Sequence, residues 1–294
     1  MVRIAHATDI HWFVPPPLRQ QSAKRLLGSA NLYLAGRRHH FDRGVQDALV
    51  AAIVAQAPDV VVISGDLTAT ALPAEFEVAL AALQPVLTRF PTFIVPGNHD
   101  VYTRGAQRDH RIARWFRPWM HGGTPEGVAL LDVGDVRLIG IDPNRPTGLG
   151  AAGELPGSAV HALADAVAAT PTDRACVVVG HYPLADRHGV LYDRASHGLR
   201  NAAAVVDALT AGARSADLYL HGHVHHGYRT LAPGTSLPTF NPGSSGYAFQ
   251  PSARRSACFG VYEVAPGVPP TARRLRWDGT CFADEDGGAW ASGR

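Results

Sequence analysis

The first hundred residues alternate between short apolar runs and amphipathic stretches. The runs at residues 2–8, 60–63 and 92–95 are predicted to be strands. The continuous β-branched run at 60–63 is typical of a strand that is covered on both faces. Between these runs, apolar residues recur at helical spacing over residues 44–56 and 73–89. This order predicts a βαβαβ unit with right-handed crossovers and a largely parallel sheet.

The remainder of the chain repeats the same two kinds of segment. Apolar runs at residues 128–132 and 136–141 flank Gly134-Asp135 and predict a hairpin. The elements expected after it are a helix at 156–169, a strand at 176–179, a helix at 201–211, a strand at 218–220, and antiparallel strands near 239–241, 258–264 and 273–277. We therefore expect one α/β domain over residues 1–278. Residues 279–294 are polar and Gly-rich, and they are expected to form a loosely ordered tail.

The segment at residues 12–43 is too long for a simple connection between a strand and the next helix. It begins with a run of three prolines, and apolar residues then recur at helical spacing over residues 18–34. Between Trp12 and Phe41 the chain carries five basic residues and no acidic residue. We predict a helical, cap-like insertion. It would either pack over the core as a flap or present a cationic face to an anionic lipid-like substrate or a membrane surface.

Composition narrows the class of protein. The chain has 294 residues, 46% of them hydrophobic, and can bury a large core. Its net charge of +2 and the lack of a dedicated basic module do not indicate nucleic-acid binding. Three widely spaced cysteines do not suggest a disulfide framework, no apolar run could span a bilayer, and the N-terminus reads into a strand and not into a secretory signal. We expect a cytoplasmic protein, peripheral to the inner face of the membrane if residues 12–43 bind lipid.

Polar side chains follow directly after five of the predicted strands. In open α/β sheets, ligands bind beyond the carboxyl ends of the strands, so these groups should meet in one crevice. The set combines carboxylates, an amide and several imidazoles, a mixture that suits first-row transition metals better than calcium or magnesium. Its members are Asp9, His11, Asp66, Asn98, His99, His181, His223 and His225.

The size of this set predicts two metal ions, because it offers too many ligands for one tetrahedral zinc. Two divalent ions, two carboxylates and one bridging hydroxide would leave a net charge of about +1, which would attract a phosphate oxyanion. His99, the histidine left over once ligands are assigned, is free to protonate the leaving oxygen. The next residue, Asp100, could hold the His99 ring in one tautomer or cap a helix.

The order of these motifs resembles that of the calcineurin-like metallophosphoesterase superfamily. The motifs span about three-quarters of the chain. They are Asp9-x-His11, Gly65-Asp66, Gly97-Asn98-His99-Asp100, Gly180-His181 and Gly222-His223-x-His225. The resemblance implies an α/β fold, a four-layer αββα sandwich with two mixed β-sheets. It also implies two divalent or mixed-valence ions, drawn from Mn, Fe and Zn.

The same resemblance implies a role for each site residue. One ion would be held by Asp9, His11, Asp66 and His225. Asp66 would bridge to a second ion, held also by Asn98, His181 and His223. His99 would be the general acid, and Asp100 would orient it. One departure is His181-Tyr182-Pro183, where many relatives have His-His-Pro; this form is closer to that of purple acid phosphatases.

The implied reaction is hydrolysis of a phosphoester. The expectation from the Gly-Asn-His-Asp motif is a phosphodiesterase similar to the cyclic-nucleotide phosphodiesterases. The cationic segment at residues 12–43 offers an alternative, a pyrophosphatase that acts on a nucleotide-linked lipid, loosely similar to the UDP-diacylglucosamine hydrolases. A third reading, a protein-binding scaffold without metals, is disfavoured because every ligand position is filled.

Overall fold

Two six-stranded β-sheets form the centre of the structure. The computed structural model describes residues 1–15, 40–145 and 150–285. The first sheet has the strand order β12-β11-β10-β1-β2-β3, in which β1, β2 and β3 are parallel and β10, β11 and β12 are antiparallel. Its strands are β1 Val2–Ala7, β2 Val60–Ile63, β3 Thr92–Ile94, β10 Cys258–Ala265, β11 Val268–Trp277 and β12 Phe282–Asp284.

The second sheet has the order β4-β5-β6-β7-β9-β8. Its four central strands are parallel, and an antiparallel strand closes each edge. Its strands are β4 Ala129–Val133, β5 Val136–Gly140, β6 Ala175–Val179, β7 Leu218–Leu220, β8 Tyr228–Leu231 and β9 Pro238–Asn241. The predicted hairpin is confirmed, since β4 pairs with β5 in antiparallel register across Gly134-Asp135.

Helices cover the outer face of each sheet. The helices are α1 Arg43–Ala55, α2 Pro73–Leu87, α3 Arg104–Arg108, α4 Arg111–Phe116, α5 Gly157–Ala168 and α6 Ala202–Thr210. Local sequence explains where two of them begin. The Asp42 carboxylate caps α1 by accepting a hydrogen bond from the Val45 N–H (3.0 Å), and Pro73 occupies the first turn of α2, where no intrahelical donor is needed.

Three hydrophobic cores separate four layers. Val60 and Val62 of β2 pack into the core between the sheets. Val61 and Ile63, on the opposite face of the same strand, pack against α1 and α2. A third core joins the second sheet to α5 and α6. Because β2 is covered on both faces, it is apolar throughout, and the predicted αββα sandwich is confirmed.

The structure corrects three details of the sequence prediction. Strand β9 pairs in antiparallel register with β8, as expected, but it also pairs in parallel with β7, which was not expected. Strand β8 was not expected, because Tyr228–Leu231 lacks a long apolar run. The segment from residue 279, expected to be loosely ordered, contains β12, which pairs with β11 and packs Phe282 against Phe259.

The predicted cap-like helix at residues 18–34 lies outside the described residues. The ends of the 12–43 segment are anchored: Trp12 forms a bridge with Thr68, and Phe41 forms one with Tyr247. Within the described ranges, no helix is both long enough and apolar enough to cross a membrane.

Candidate metal centre

The predicted site residues meet in one crevice formed by the loops after β1, β2, β3, β6 and β7. One group of four lies within coordination reach. Single ligand atoms from Asp9, His11, Asp66 and His225 all lie within 4.8 Å of one another. His225 Nε2 is 3.2 Å from Asp9 Oδ1, and His11 Nε2 is 3.6 Å from Asp66 Oδ2. This is the set that was predicted for the first ion.

The set predicted for the second ion lies beside it. His181 Nε2 is 3.4 Å from Asp66 Oδ2 and 3.1 Å from Asn98 Oδ1. Asn98 Oδ1 is also 2.9 Å from His223 Nδ1. Asp66 Oδ2 therefore faces His11 on one side and His181 on the other, so this single oxygen stands between the two groups.

Backbone carbonyls fix the orientation of the imidazoles. The second ring nitrogen of each points at a carbonyl oxygen: His11 at Thr68 (3.2 Å), His181 at Ser64 (2.8 Å) and His223 at its neighbour His197 (2.8 Å). A carbonyl only accepts, so that nitrogen carries the hydrogen, and in the neutral ring the nitrogen that faces the crevice carries a lone pair. This tautomer is the one that binds a metal.

The donor set fits a cation. At the second group, the inward nitrogens of His181 and His223 both lie within 3.1 Å of the Asn98 amide oxygen. In their neutral forms all three present an electron pair, so a positive charge among them would be stabilised. In metal-free protein a proton on His181 would serve, because the Asp66 carboxylate, opposing burial, raises the pKa of His181 to about 9. A divalent ion would displace that proton and supply a larger positive charge.

Asp66 and His11 are in the protonation states that metal binding requires. Burial alone would favour protonated Asp66, but the imidazoles of His181 and His99 outweigh it and hold the pKa of this carboxyl well below its usual range. Burial lowers the pKa of the His11 imidazole to about 3. The carboxylate is therefore ionised and the His11 imidazole neutral at pH 7.

Backbone strain concentrates at this crevice. Among the described residues, ten that are not glycine have a positive φ angle, and five of these ten are predicted ligands. The five are Asp9, His11, Asp66, His223 and His225. Such conformations cost on the order of 1 kcal/mol or more each, and they cluster where function requires a particular side-chain direction.

Two glycines permit the close approach of the loops. A Cβ atom at Gly97 would collide with the backbone amide and carboxylate of Asp66. A Cβ atom at Gly222 would collide with the hydroxyl of Thr8 and the carboxylate of Asp9. Because neither position tolerates a side chain, the glycines of the Gly-Asn-His-Asp and Gly-His-x-His motifs are steric requirements of the packed centre.

His99 lies next to both groups, and a backbone contact orients it. Its Nδ1 atom is 2.6 Å from the Ala69 carbonyl, so Nδ1 donates and Nε2 remains to exchange a proton. Its ring packs edge-on against the His11 ring, with 4.8 Å between centroids. Its backbone N–H donates to Asp66 Oδ1 (2.8 Å). Burial lowers the pKa of the imidazole, against the opposing charge of Asp66.

The contacts of Asp100 differ from those expected. Its carboxylate does not orient the His99 ring, whose Nδ1 donates to Ala69 instead. It accepts hydrogen bonds from the backbone N–H groups of Gly97 (2.9 Å) and Thr68 (2.9 Å) and from the Thr68 hydroxyl (3.0 Å). Asp100 therefore joins the loop after β3 to the loop after β2, and its influence on His99 is indirect.

Two further side chains support the centre. The Tyr247 hydroxyl lies 2.8 Å from His225 Nδ1, and the His197 ring packs on the His223 ring with 4.1 Å between centroids. The sequence left His197 unassigned, although its position near a motif loop was a weak signal. Tyr247 carried no signal, because it follows His225 by 22 residues without a motif of its own.

Glu75 ties two of the site loops together. Its Oε2 atom accepts hydrogen bonds from the backbone N–H groups of Thr70 (2.9 Å) and Leu72 (3.1 Å). Its Oε1 atom lies 3.1 Å from the Thr70 hydroxyl and 3.4 Å from the Val14 amide. The loop after β2, which supplies the carbonyls that orient His11 and His99, is thereby joined to the segment after β1.

Glu75 is expected to make stability depend on pH. Burial, opposed by its hydrogen bonds, raises the pKa of Glu75 from 4.5 to about 7. As pH rises between these values, the unfolded chain releases this proton while the folded chain keeps it, so folding becomes less favourable by up to about 3 kcal/mol. Glu75→Gln removes this ionisation. In urea unfolding, the stability of the variant relative to wild type should therefore increase from pH 4.5 to pH 8. Parallel pH profiles would contradict the assignment.

Known proteins share this sequence pattern and this fold. The family model for calcineurin-like phosphoesterases matches residues 2–227. A dimetal phosphatase from Danio rerio has a TM-score of 0.60 at 13% identity, covering 99% of each chain. A purple acid phosphatase from yellow lupin (Lupinus luteus) seeds has a TM-score of 0.59 at 10% identity, covering 96% of this chain and 52% of that chain. At such identities the similarity concerns the fold alone. The sequence matches no curated protein at a significant level.

Proposed function

Because the chain belongs to the calcineurin-like phosphoesterase family and is thus a metal-dependent phosphoesterase, we propose that it hydrolyses a phosphodiester at the crevice described above. The observation that carries this proposal is the position of Asp66 Oδ2. It lies 3.6 Å from His11 Nε2 and 3.4 Å from His181 Nε2, between two groups of ligand atoms. That arrangement suits a pair of ions that share one carboxylate.

We assign the ligands as the sequence suggested. The first ion would be held by Asp9, His11, Asp66 and His225, and the second by Asp66, Asn98, His181 and His223. Such ions would supply an activated water and charge stabilisation for the phosphoryl group. The mixture of imidazole, carboxylate and amide ligands favours Mn, Fe or Zn.

Within this proposal, His99 protonates the oxygen that leaves. Its Nδ1 atom is held by the Ala69 carbonyl at 2.6 Å, so Nε2 is the atom that transfers the proton. Burial lowers the pKa of the ring, and an anionic phosphoryl group beside it would raise that pKa again. The proton would therefore be retained most firmly when substrate is bound. Asp100 acts as a positioning residue, since it holds the loop that carries His99.

The site suits an ester with an alkoxide leaving group, because such a group requires a proton and the site offers one. The preference for a diester rests on the Gly97-Asn98-His99-Asp100 motif. The lipid-linked pyrophosphate remains a second candidate. The hypothesis of a lipid-linked substrate depends on the five basic residues between Trp12 and Phe41. Substitution of Lys24, Arg25, Arg37 and Arg38 by Gln would test this hypothesis. The proposed location is the reducing cytoplasm, which is consistent with the free thiols of Cys176, Cys258 and Cys281.

A substrate panel is expected to rank diesters first. Purified protein would be stripped with chelator, reconstituted separately with Mn, Fe and Zn, and assayed with a nitrophenyl phosphodiester, a cyclic nucleotide, a phosphomonoester and a UDP-linked lipid. We expect activity only with metal and the highest kcat/KM on a diester. Preference for the UDP-linked lipid would favour the pyrophosphatase. Failure to bind metal or to hydrolyse any member would favour the scaffold reading.

A further inference from the structure

A second cavity lies beside the loop that carries Asn98 and His99. Its volume is about 550 Å³, within the range of sites that bind small organic ligands. Helices α3 and α4 and the turn after them form its outer wall, and the segment after β5 forms its inner wall. None of its lining residues belongs to the metal centre proposed above.

The inner end of the cavity reaches the catalytic loop. Val101, which lines the cavity, directly follows Asp100. Asn144 also lines it, and its side-chain N–H donates to the carbonyl of Pro96 (2.7 Å), immediately before Gly97. Asn144 is 2% exposed, and its Oδ1 atom has no hydrogen-bond partner among the described residues. The inner wall therefore abuts the reaction site and carries an unsatisfied acceptor.

The lining of the cavity is strongly cationic. Four arginines and one histidine line it, against two carboxylates. The basic residues are Arg104, Arg108, Arg111, Arg117 and His110, and the acidic ones are Glu126 and Asp142. Burial raises the pKa of Asp142 to about 6, so this carboxyl stays mostly ionised at pH 7, and the basic residues of the lining still outnumber the two carboxylates.

Two of the arginines are uncompensated and one is held in place. The side chains of Arg104 and Arg117 form no hydrogen bond or ion pair with any residue in the described ranges. Arg111 is fixed, because it donates to the carbonyl of Ala71 (3.0 Å) and to the Asp109 carboxylate (3.3 Å). Guanidinium groups present paired donors that match the oxygens of a phosphate. Arg104, Arg108 and Arg117 are exposed to solvent and Arg111 is partly buried. Such a cluster of guanidinium groups next to a phosphoesterase centre has the character of a second phosphate site.

We propose that this cavity binds a second phosphate group on the organic part of the substrate, so that the preferred substrate is a phosphodiester of nucleotide size with an additional phosphate. This inference rests on the proposed function for its place in catalysis, but the binding of the second phosphate does not depend on turnover. It assigns Arg104 and Arg117 a role in specificity. It leaves the metal ligands and His99 to act on the phosphate that is cleaved.

The test compares two substrates that differ by one phosphate. They are thymidine 5′-(p-nitrophenyl phosphate) with and without a 3′-phosphate, which share the scissile bond and the leaving group. Wild-type enzyme should show a KM at least about tenfold lower for the 3′-phosphorylated compound. Arg104→Gln/Arg117→Gln should remove that preference while leaving kcat/KM for the unphosphorylated compound within about twofold. The advantage should also shrink as salt rises.

A matched control removes the same charge elsewhere. Arg89 and Arg229 are exposed and lie outside this cavity, so Arg89→Gln/Arg229→Gln should retain the full preference. Calorimetric titration with thymidine 3′,5′-bisphosphate gives a readout without turnover. Binding by wild type that is lost only in Arg104→Gln/Arg117→Gln would support the cavity even if neither substrate were hydrolysed, in which case the proposed function alone would fail. Hydrolysis of both substrates without a preference, or equal effects of the two double variants, would overturn the inference.

Discussion

Asp66→Ala is expected to lose both metal ions and to hydrolyse phosphodiesters at least about 10³-fold more slowly than wild type. The reason is that one oxygen, Asp66 Oδ2, faces both His11 (3.6 Å) and His181 (3.4 Å). Removing an unshared ligand such as His225 should weaken one ion preferentially. Removing Asp66 should weaken both, and it also takes away half of the carboxylate charge that the two ligand groups supply. Elemental analysis of the purified variant gives the metal content directly.

Two control variants separate metal loss from misfolding. Asp66→Asn keeps the shape of the side chain and the acceptor for the His99 N–H, which now lies 2.8 Å from Asp66 Oδ1. It should fold like wild type while binding metal weakly. Asp47→Ala removes an exposed carboxylate on α1 and should retain both ions. Two tightly bound ions in Asp66→Ala would show that Asp66 does not bridge them.

The convergence of the candidate ligands in one crevice could be predicted because strand ends are visible in the sequence. Val60–Ile63 is apolar on both faces and ends abruptly, so Asp66 had to lie just beyond a buried strand. The same reasoning applied to His181 after β6. Parallel strands that end at one edge bring their following residues together, and no long-range information is needed to expect this.

The orientation of those ligands could not be predicted. His11 and His181 are held by the carbonyls of Thr68 and Ser64. Every residue has a carbonyl, so the sequence does not mark the ones that meet a histidine. The same limit explains Asp100, for which the sequence suggested a contact with the His99 ring or a helix cap. Its carboxylate instead accepts hydrogen bonds from neighbouring loops, and this depends on how closely Gly97 lets them approach.

The prediction of strand pairing from the sequence was limited in a related way. Periodicity identified a strand near residue 240, but its partners depend on the whole sheet. Strand β9 lies between β7 and β8 and is parallel to the first and antiparallel to the second. Strand β12 was missed because the segment that contains it is polar, and its position is set by pairing with β11 and by Phe282.

His99→Ala is expected to keep both ions and to lose about 10²–10⁴-fold in rate on diesters with alkoxide leaving groups. The His99 ring packs against His11, with 4.8 Å between centroids, but it does not belong to the four-residue cluster around Asp9. Its Nδ1 atom is engaged by Ala69, so the substitution removes a proton donor and no assigned ligand. A nitrophenyl diester should be affected much less, because nitrophenolate leaves without a proton. The ratio of the two losses therefore measures proton donation separately from metal binding.

His11→Ala provides the contrast that makes this ratio interpretable. Because His11 is a proposed ligand, His11→Ala should lower the metal content and should slow the hydrolysis of both diesters alike. His161→Ala provides the neutral control, because His161 is an exposed residue of α5 whose Nδ1 atom lies 2.7 Å from the Gly157 carbonyl of its own helix. If His99→Ala retained its metals but slowed the alkyl and nitrophenyl diesters equally, His99 would act on the phosphoryl group or on substrate position. The proton would then have to reach the leaving oxygen from water.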